Sequence, residues 1–186
     1  MSVLIIAEAG VNHNGSLELA KKMADVAKAA GADIVKYQTA KPELVVSRFA
    51  QKAEYQKEKT GADESQLEMI KKIHFGFEAH RELKEYCDSI GIMYLSTPFD
   101  MDSIDFLAEM DMPVWKIPSG EITNLPYLEK VAQLKKPIIM STGMCEIAEV
   151  KESLDVLYKN GATDVTILHC NTEYPTPLAD ANVKAM

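Results

Sequence analysis

Apolar strand-like runs alternate with helical stretches six times along the chain, and a polar residue stands at or just beyond the C-terminal end of each run. No hairpin or Greek-key signal breaks the alternation. These observations predict an α/β fold with a parallel sheet, closed as a (β/α)8 barrel of which the chain carries about the first six β/α steps. An open doubly wound sheet is the competing architecture. It would concentrate its site at one switch point, and nucleotide binders of that kind carry a G-x-G-x-x-G or Walker pattern that is absent from every strand–helix turn here. Glu8, Lys36, Gln38, Thr97, Lys116, Ser119, Glu121, Ser141, Asn171 and Tyr174 are instead spread over all the strand ends, as in a barrel.

Each element has its own local signal. Val3 to Ala7 is a continuous apolar run of the kind a strand buried on both faces shows, and it leads into the polar loop Gly10-Val11-Asn12-His13-Asn14-Gly15. Ser16 caps the first helix, Leu19, Met23, Val26, Ala27 and Ala30 form its apolar stripe, and Gly31 ends it. Ile34 to Gln38 is the second strand, with Lys36 inside it. From Thr39 to Phe75 the pattern loosens into a lysine- and glutamate-rich excursion, with helical pieces over Ala50 to Glu58 and Ser65 to Lys72; it is either a lid or a solvated loop. A helix from Phe77 to Ser89 stops at Gly91, a strand runs from Ile92 to Ser96, and Asp100 caps a helix that buries Ile104, Leu107 and Ala108. The strand Val114 to Ile117 delivers Trp115-Lys116-Ile117-Pro118-Ser119-Gly120-Glu121. Asn124 caps a helix with Leu128, Val131 and Ala132 inside. A strand over Ile138 to Met140, a helix with Ile147, Val150, Leu154 and Leu157 inward, and a strand from Val165 to Leu168 complete the run.

A barrel of eight steps needs about 250 residues, and the chain has 186. Residues 1–186 are therefore expected to be the N-terminal part of a longer barrel domain, with the last barrel strands absent and the first and sixth strands left as apolar edges. The net charge of −8 argues against a nucleic-acid binder working through a basic field. Only two of the 20 cationic residues are arginine, so an anion site must rely on lysine as a point charge. Three cysteines without C-x-x-C spacing, no basic leader at the N-terminus and no long apolar window together point to a cytoplasmic protein.

The chemistry centres on the Lys116 loop. A buried strand has no use for Lys116 unless an anion waits at its end. Lys36 and Lys116, with Ser119 and Ser141, read as a grip for one small anion, phosphate or carboxylate. The bland alternative is that the lysines reach solvent and the serines cap locally. Glu8 and Glu121 are the carboxylate candidates, either for general-base work and sugar hydroxyls or as ion-pair partners of Lys36 and Lys116 that serve only the fold. His13 and His169 lie on strand-end loops and could line a site, whereas His74 and His80 read as packing or surface residues. No histidine has metal-ligand spacing. Cys145 and Cys170 read as small packing thiols rather than nucleophiles.

Six motifs in order, Ala7 to Gly15, Val35-Lys36-Tyr37-Gln38-Thr39, Ser96-Thr97-Pro98-Phe99, Trp115 to Glu121, Ser141-Thr142-Gly143-Met144 and Leu168 to Pro177, make the chain resemble the bacterial N-acetylneuraminate (sialic acid) synthases of the NeuB type. The pieces Ala53-Glu54-Tyr55-Gln56 and Ser65 to Met69 look closest to the N-acetylmannosamine-using branch, whose relatives make legionaminic or pseudaminic acid. The resemblance implies condensation of phosphoenolpyruvate with the open aldehyde form of an N-acetylated amino sugar, addition of water, and loss of phosphate with C–O cleavage. It implies phosphoenolpyruvate on Lys36, Lys116, Ser119 and Ser141, with a further contact from Asn171 or Thr172. Sugar hydroxyls would fall to Glu8, Gln38, Thr97 and Tyr174, and the attacking water to Glu121. It implies a divalent Mn2+ or Mg2+ held by histidines of later barrel steps, a C-terminal antifreeze-like domain that is also absent here, and a homodimeric whole protein. The chain alone is then expected to be inactive. A deoxy-heptulosonate-type synthase, which would need a further basic cluster for a phosphorylated sugar, and a non-catalytic sugar or phosphate binder are the alternatives.

Overall fold

The computed structural model describes residues 3–51 and 65–185. The chain packs as two compact units, Met1–Phe106 and Leu107–Met186, and each holds a three-stranded parallel sheet.

In the first unit the strands β1 (Ile6–Gly10), β2 (Ile34–Thr39) and β3 (Met93–Pro98) lie in the order β1-β2-β3. The register sets Glu8 beside Lys36 and Gln38 beside Thr97. The first strand is shifted from its expected place. Val3, Leu4 and Ile5 are exposed at 80%, 54% and 51%, and pairing with β2 starts at Ile6. A bulge between Glu8 and Gly10, with Gly10 at φ +55, carries the ladder on to Tyr37. Glu8 is consequently inside the strand rather than at its end.

The pleat of β2 turns Lys36 and Gln38 to one face and Val35, Tyr37 and Thr39 to the other. The second face meets helices: the Tyr37 hydroxyl donates to the Ala20 carbonyl at 2.8 Å. Helix α1 (Leu17–Ala29) starts where Ser16 Oγ accepts the Leu19 N–H. It buries Ala20, Ala24 and Ala27, of which only Ala27 belongs to the predicted stripe, and leaves Leu19 and Val26 exposed at 40% and 69%. Alanines let the helix backbone approach the sheet closely, and that close fit decides the inward face where larger apolar residues lie on either side of it. Among the described residues two short helices follow, α2 (Pro42–Val45) and α3 (Gln66–Ile73). A capping box between Ser65 and Glu68 opens α3, and the ion pair Lys71–Glu43 at 2.7 Å ties it to α2. The helical piece predicted over Ala50 to Glu58 falls almost wholly outside the described residues, as does Ala53 to Gln56. Helix α4 (Phe77–Ile90) stops at Gly91, φ +73. Asp100 Oδ1 accepts the Ser103 N–H at 2.8 Å and opens α5 (Met101–Glu109).

In the second unit β4 (Trp115–Ile117), β5 (Ile138–Ser141) and β6 (Val165–Leu168) lie in the order β4-β5-β6. A single 3-10 turn, Ser119–Glu121, follows β4. Helices α6 (Leu125–Gln133) and α7 (Ile147–Lys159) cover the sheet. Trp115, Ile117, Leu128, Val131, Ala132, Met140 and Leu157 form its core, with roughly 2 kcal/mol of burial per large aliphatic side chain. Asn124 caps α6 as predicted. In α7 the predicted stripe holds at Leu157, while Ile147 is 84% exposed because it sits in the first turn, beyond the sheet's edge of contact. Strand β6 ends its sheet with Ile167 44% exposed. No described helix is long and apolar enough to cross a membrane.

Candidate active site

Polar side chains stand at or near the C-terminal ends of strands in both units, and each unit is described by itself. In the first, Lys36 is 8% exposed in the middle of β2. A buried ammonium needs acceptors, and two are present. Glu8 Oε2 forms an ion pair with Lys36 Nζ, and Lys36 Nζ lies 3.4 Å from Thr97 Oγ1. The carboxylate end of this pair is open, with the Glu8 side chain 53% exposed. Gln38 stands two residues on from Lys36 on the same face of β2 and pairs in register with Thr97. Glu8, Lys36, Gln38 and Thr97 therefore form one polar face, with a carboxylate, a cation, an amide and a hydroxyl directed away from the helices.

In the second unit Lys116 is 6% exposed. Its Nζ donates to Ser141 Oγ at 2.6 Å and to the Ile117 carbonyl at 2.7 Å. The parallel register that sets Lys116 beside Ile139 and Ile117 beside Met140 brings Ser141, one residue past Met140, within reach of that ammonium. Ser119 Oγ accepts the Gly143 N–H at 2.9 Å. Glu121 Oε2 accepts from Asn124 Nδ2 at 2.7 Å. A neutral donor is a weak partner for a carboxylate, and it leaves the second carboxylate oxygen for other work. Asn171 Oδ1 accepts the Glu173 N–H at 2.7 Å, an Asx turn that shapes the loop after β6. Tyr174 is 83% exposed at the tip of that loop. The structure thus joins Lys116 with Ser141 and Glu8 with Lys36 and Thr97, and it leaves Asn171 engaged in its own turn.

Of the two histidines that could line a site, His13 is turned into the core instead. His13 is 1% exposed, its ring 4.1 Å from that of Phe75. His13 Nδ1 accepts the Gly15 N–H at 3.2 Å. Burial, with His74 nearby, pushes its pKa down to about 4, so it is a neutral packing group. His80 is 1% exposed and hydrogen-bonds Tyr94 Oη at 2.8 Å and Thr39 Oγ1 at 3.4 Å. Burial, reinforced by His13 and His74, lowers its pKa to about 3. No motif spacing marks this cluster in the sequence, and the only local hint is a histidine three residues past the start of α4, on its apolar side. His169 is exposed, with Nε2 3.1 Å from the Ala181 carbonyl. Cys145 and Cys170 are half-buried rather than fully buried. Cys145 donates to the Gly143 carbonyl at 3.1 Å, and burial raises its pKa, which opposes a thiolate nucleophile. Among the described residues no group of three or more His, Cys, Asp or Glu side chains is arranged to hold a metal ion.

Comparison with known proteins supplies the frame for these geometries. A model of the NeuB family matches residues 23–186. The chain is 54% identical over 185 residues to the N,N'-diacetyllegionaminic acid synthase of Campylobacter jejuni, covering 98% of this chain and 55% of that protein. It is 47% identical to the enzyme of the same name from Legionella pneumophila, covering 100% of this chain and 53% of that one. A crystal structure of N-acetylneuraminic acid (sialic acid) synthetase from Leptospira borgpetersenii, in complex with citrate, superimposes with a TM-score of 0.84 at 31% identity, covering 100% of this chain and 60% of that chain. The chain spans about half the length of the curated relatives it matches.

Proposed function

Because the chain belongs to the NeuB family, we propose that it carries the phosphoenolpyruvate-binding and sugar-binding half of a nonulosonic acid synthase, folded as the first six steps of a (β/α)8 barrel. The reaction joins C3 of phosphoenolpyruvate to the aldehyde carbon of an N-acetylated amino sugar. Water then adds at C2, and phosphate departs with cleavage of its C–O bond.

The observation that carries this reading is the buried Lys116 ammonium held by Ser141 Oγ at 2.6 Å, beside a Ser119 hydroxyl already aligned at 2.9 Å by the Gly143 amide. A cation and two hydroxyls gathered at strand ends fit a phosphate or carboxylate that is handed to them by substrate. Within the first unit, Lys36 is the cation the family resemblance assigns to phosphoenolpyruvate, and Glu8, Gln38 and Thr97 offer acceptors and donors for sugar hydroxyls. Tyr174, exposed in the second unit, carries the further hydroxyl assigned to the sugar. Glu121, which accepts from Asn124 Nδ2 through one carboxylate oxygen, is the residue we assign to orienting or deprotonating the attacking water.

The sugar is the point at which the sequence expectation is revised. The motifs alone favoured N-acetylmannosamine and sialic acid. Identities of 54% and 47% to two diacetyllegionaminic acid synthases, against 31% to the sialic acid synthetase structure, support the legionaminic branch instead. Phosphoenolpyruvate contains no nitrogen, so both acetamido groups of such a product must arrive on the sugar. The substrate is accordingly a diacetamido hexose.

The test is phosphate release from phosphoenolpyruvate by the whole protein, with a diacetamido hexose and with N-acetylmannosamine in parallel, each with and without Mn2+. Release with the diacetamido sugar at tenfold or greater kcat/KM over N-acetylmannosamine is expected. Preference for N-acetylmannosamine would return the protein to the sialic acid branch, and release with neither would end the synthase reading.

A further inference from the structure

We propose that Gly143 is a positioning residue of the anion site, one that sets the Ser119 hydroxyl as a donor by letting the loops after β4, β5 and β6 close on one another. The inference rests on the anion site described above and assigns work to two residues, Gly143 and Thr172, that contact no substrate in that reading.

Two observations carry it. The first is the hydrogen bond from Gly143 N to Ser119 Oγ at 2.9 Å. A serine hydroxyl has one proton and two lone pairs. One lone pair is engaged by the Gly143 amide, and among the described residues no acceptor takes the Ser119 proton. The hydroxyl is therefore turned with its proton outward, which is the orientation an anionic ligand requires. Gly143 is itself held from the other side, because the Cys145 thiol donates to its carbonyl at 3.1 Å.

The second observation is the absence of room for a side chain. A Cβ on Gly143 would lie 2.8 Å from Thr172 Cγ2, 3.1 Å from Ser119 Oγ and 3.5 Å from the Asn171 carbonyl carbon. Backbone strain is not the reason for glycine here, since Gly143 is absent from the positive-φ glycines. The reason is contact. Three strand-end loops meet at one Cα, and only hydrogen fits between the Thr172 methyl and the Ser119 hydroxyl. The Asx turn at Asn171 fixes the third loop, so Thr172 is the residue that presses against Gly143. The family resemblance put Asn171, or else Thr172, near the phosphate. The geometry divides them, with Asn171 forming the turn and Thr172 packing behind the hydroxyl that donates.

The test measures affinity for phosphoenolpyruvate by calorimetric titration of the whole protein, with far-ultraviolet circular dichroism and Tm as controls. Gly143→Ala is expected to weaken binding about tenfold or more, the loss of a hydrogen bond to a charged ligand, with the fold retained. Gly143→Ala combined with Thr172→Ser removes the methyl at the 2.8 Å contact and should recover most of that loss. In a Ser119→Ala background, Gly143→Ala should cost less than about threefold further, since its effect runs through that hydroxyl. If Gly143→Ala does not fold, Thr172→Leu presses on the same contact from an exposed loop and should weaken binding to a similar degree. Native affinity in Gly143→Ala, absence of any recovery in the double variant, or native affinity in Thr172→Leu overturns the proposal. These results differ from failure of the underlying reading, in which the native protein itself neither binds phosphoenolpyruvate nor releases phosphate.

Discussion

Replacing Lys116 with methionine separates binding from stability. The ammonium is 6% exposed, and taking such an ion out of water costs several kcal/mol. Its hydrogen bonds to Ser141 Oγ and the Ile117 carbonyl, at 2.6 and 2.7 Å, return about 1.5–3 kcal/mol each. The two contributions nearly cancel. Methionine keeps the length of the side chain, removes the charge and leaves Ser141 with a hydroxyl that can rotate. Stability should then change by no more than about 1 kcal/mol, or about 2–4 °C in Tm for a chain of this size. Anion binding should suffer far more. A unit charge about 4 Å from the ligand at an effective dielectric constant near 20 is worth about 4 kcal/mol, or roughly a hundredfold to a thousandfold in affinity. Thermal unfolding followed by circular dichroism and titration with phosphoenolpyruvate measure the two quantities on one preparation. A fall in Tm of more than about 10 °C with unchanged phosphoenolpyruvate affinity would show Lys116 to be a structural cation and refute the anion site.

Three further expectations concern the first unit. The unfolded imidazole of His80 takes up a proton near pH 6.5, whereas the folded one resists until about 3. The contribution of its burial is thus complete above pH 6.5 and is lost as pH falls toward 3, by up to about 5 kcal/mol. Urea unfolding at pH 7, 5.5 and 4.5 should show this decline, and His80→Gln should lessen it, leaving the share that buried His13 carries; an equal slope in the variant would assign acid lability elsewhere. Gly15 has φ +75, and a Cβ there would stand 2.7 Å from the Lys72 carbonyl oxygen, so Gly15→Ala should destabilise by about 2–3 kcal/mol, read as a Tm lowered by roughly 5–10 °C. Ser65→Ala removes the capping box that opens α3 and should cost about 1 kcal/mol by urea unfolding, with no change in phosphoenolpyruvate affinity.

Much of this protein is written in short-range signals. Ser16, Asp100 and Asn124 cap helices where their spacing to the next apolar residues placed them, because a cap acts within three residues of itself. The strand ends likewise announced Lys36, Lys116, Ser119 and Ser141, since an ion inside an apolar run is conspicuous at any resolution of reading. Other features had no local trace. The inward face of α1 went to Ala20, Ala24 and Ala27 over its larger apolar residues, because closeness of approach to the sheet, not hydrophobicity alone, chose it. The burial of His13 against Phe75 joins residues far apart in the chain, so no spacing rule reaches it. The strand that was expected at Val3 begins at Ile6 because its partner, β2, determines which residues can pair.

Composition, caps and the polar strand ends by themselves determined a parallel α/β chain and singled out its strand-end lysines and serines as candidates for an anion site. Only the tertiary structure decided that Lys116 reaches Ser141, that Glu8 closes on Lys36, and that Gly143 is the point where three loops touch. The physical reason is the same in each case. A cap or an alternation is satisfied within one turn or one strand, whereas a cross-strand ion pair or a loop contact depends on register, and register exists only once distant strands have paired.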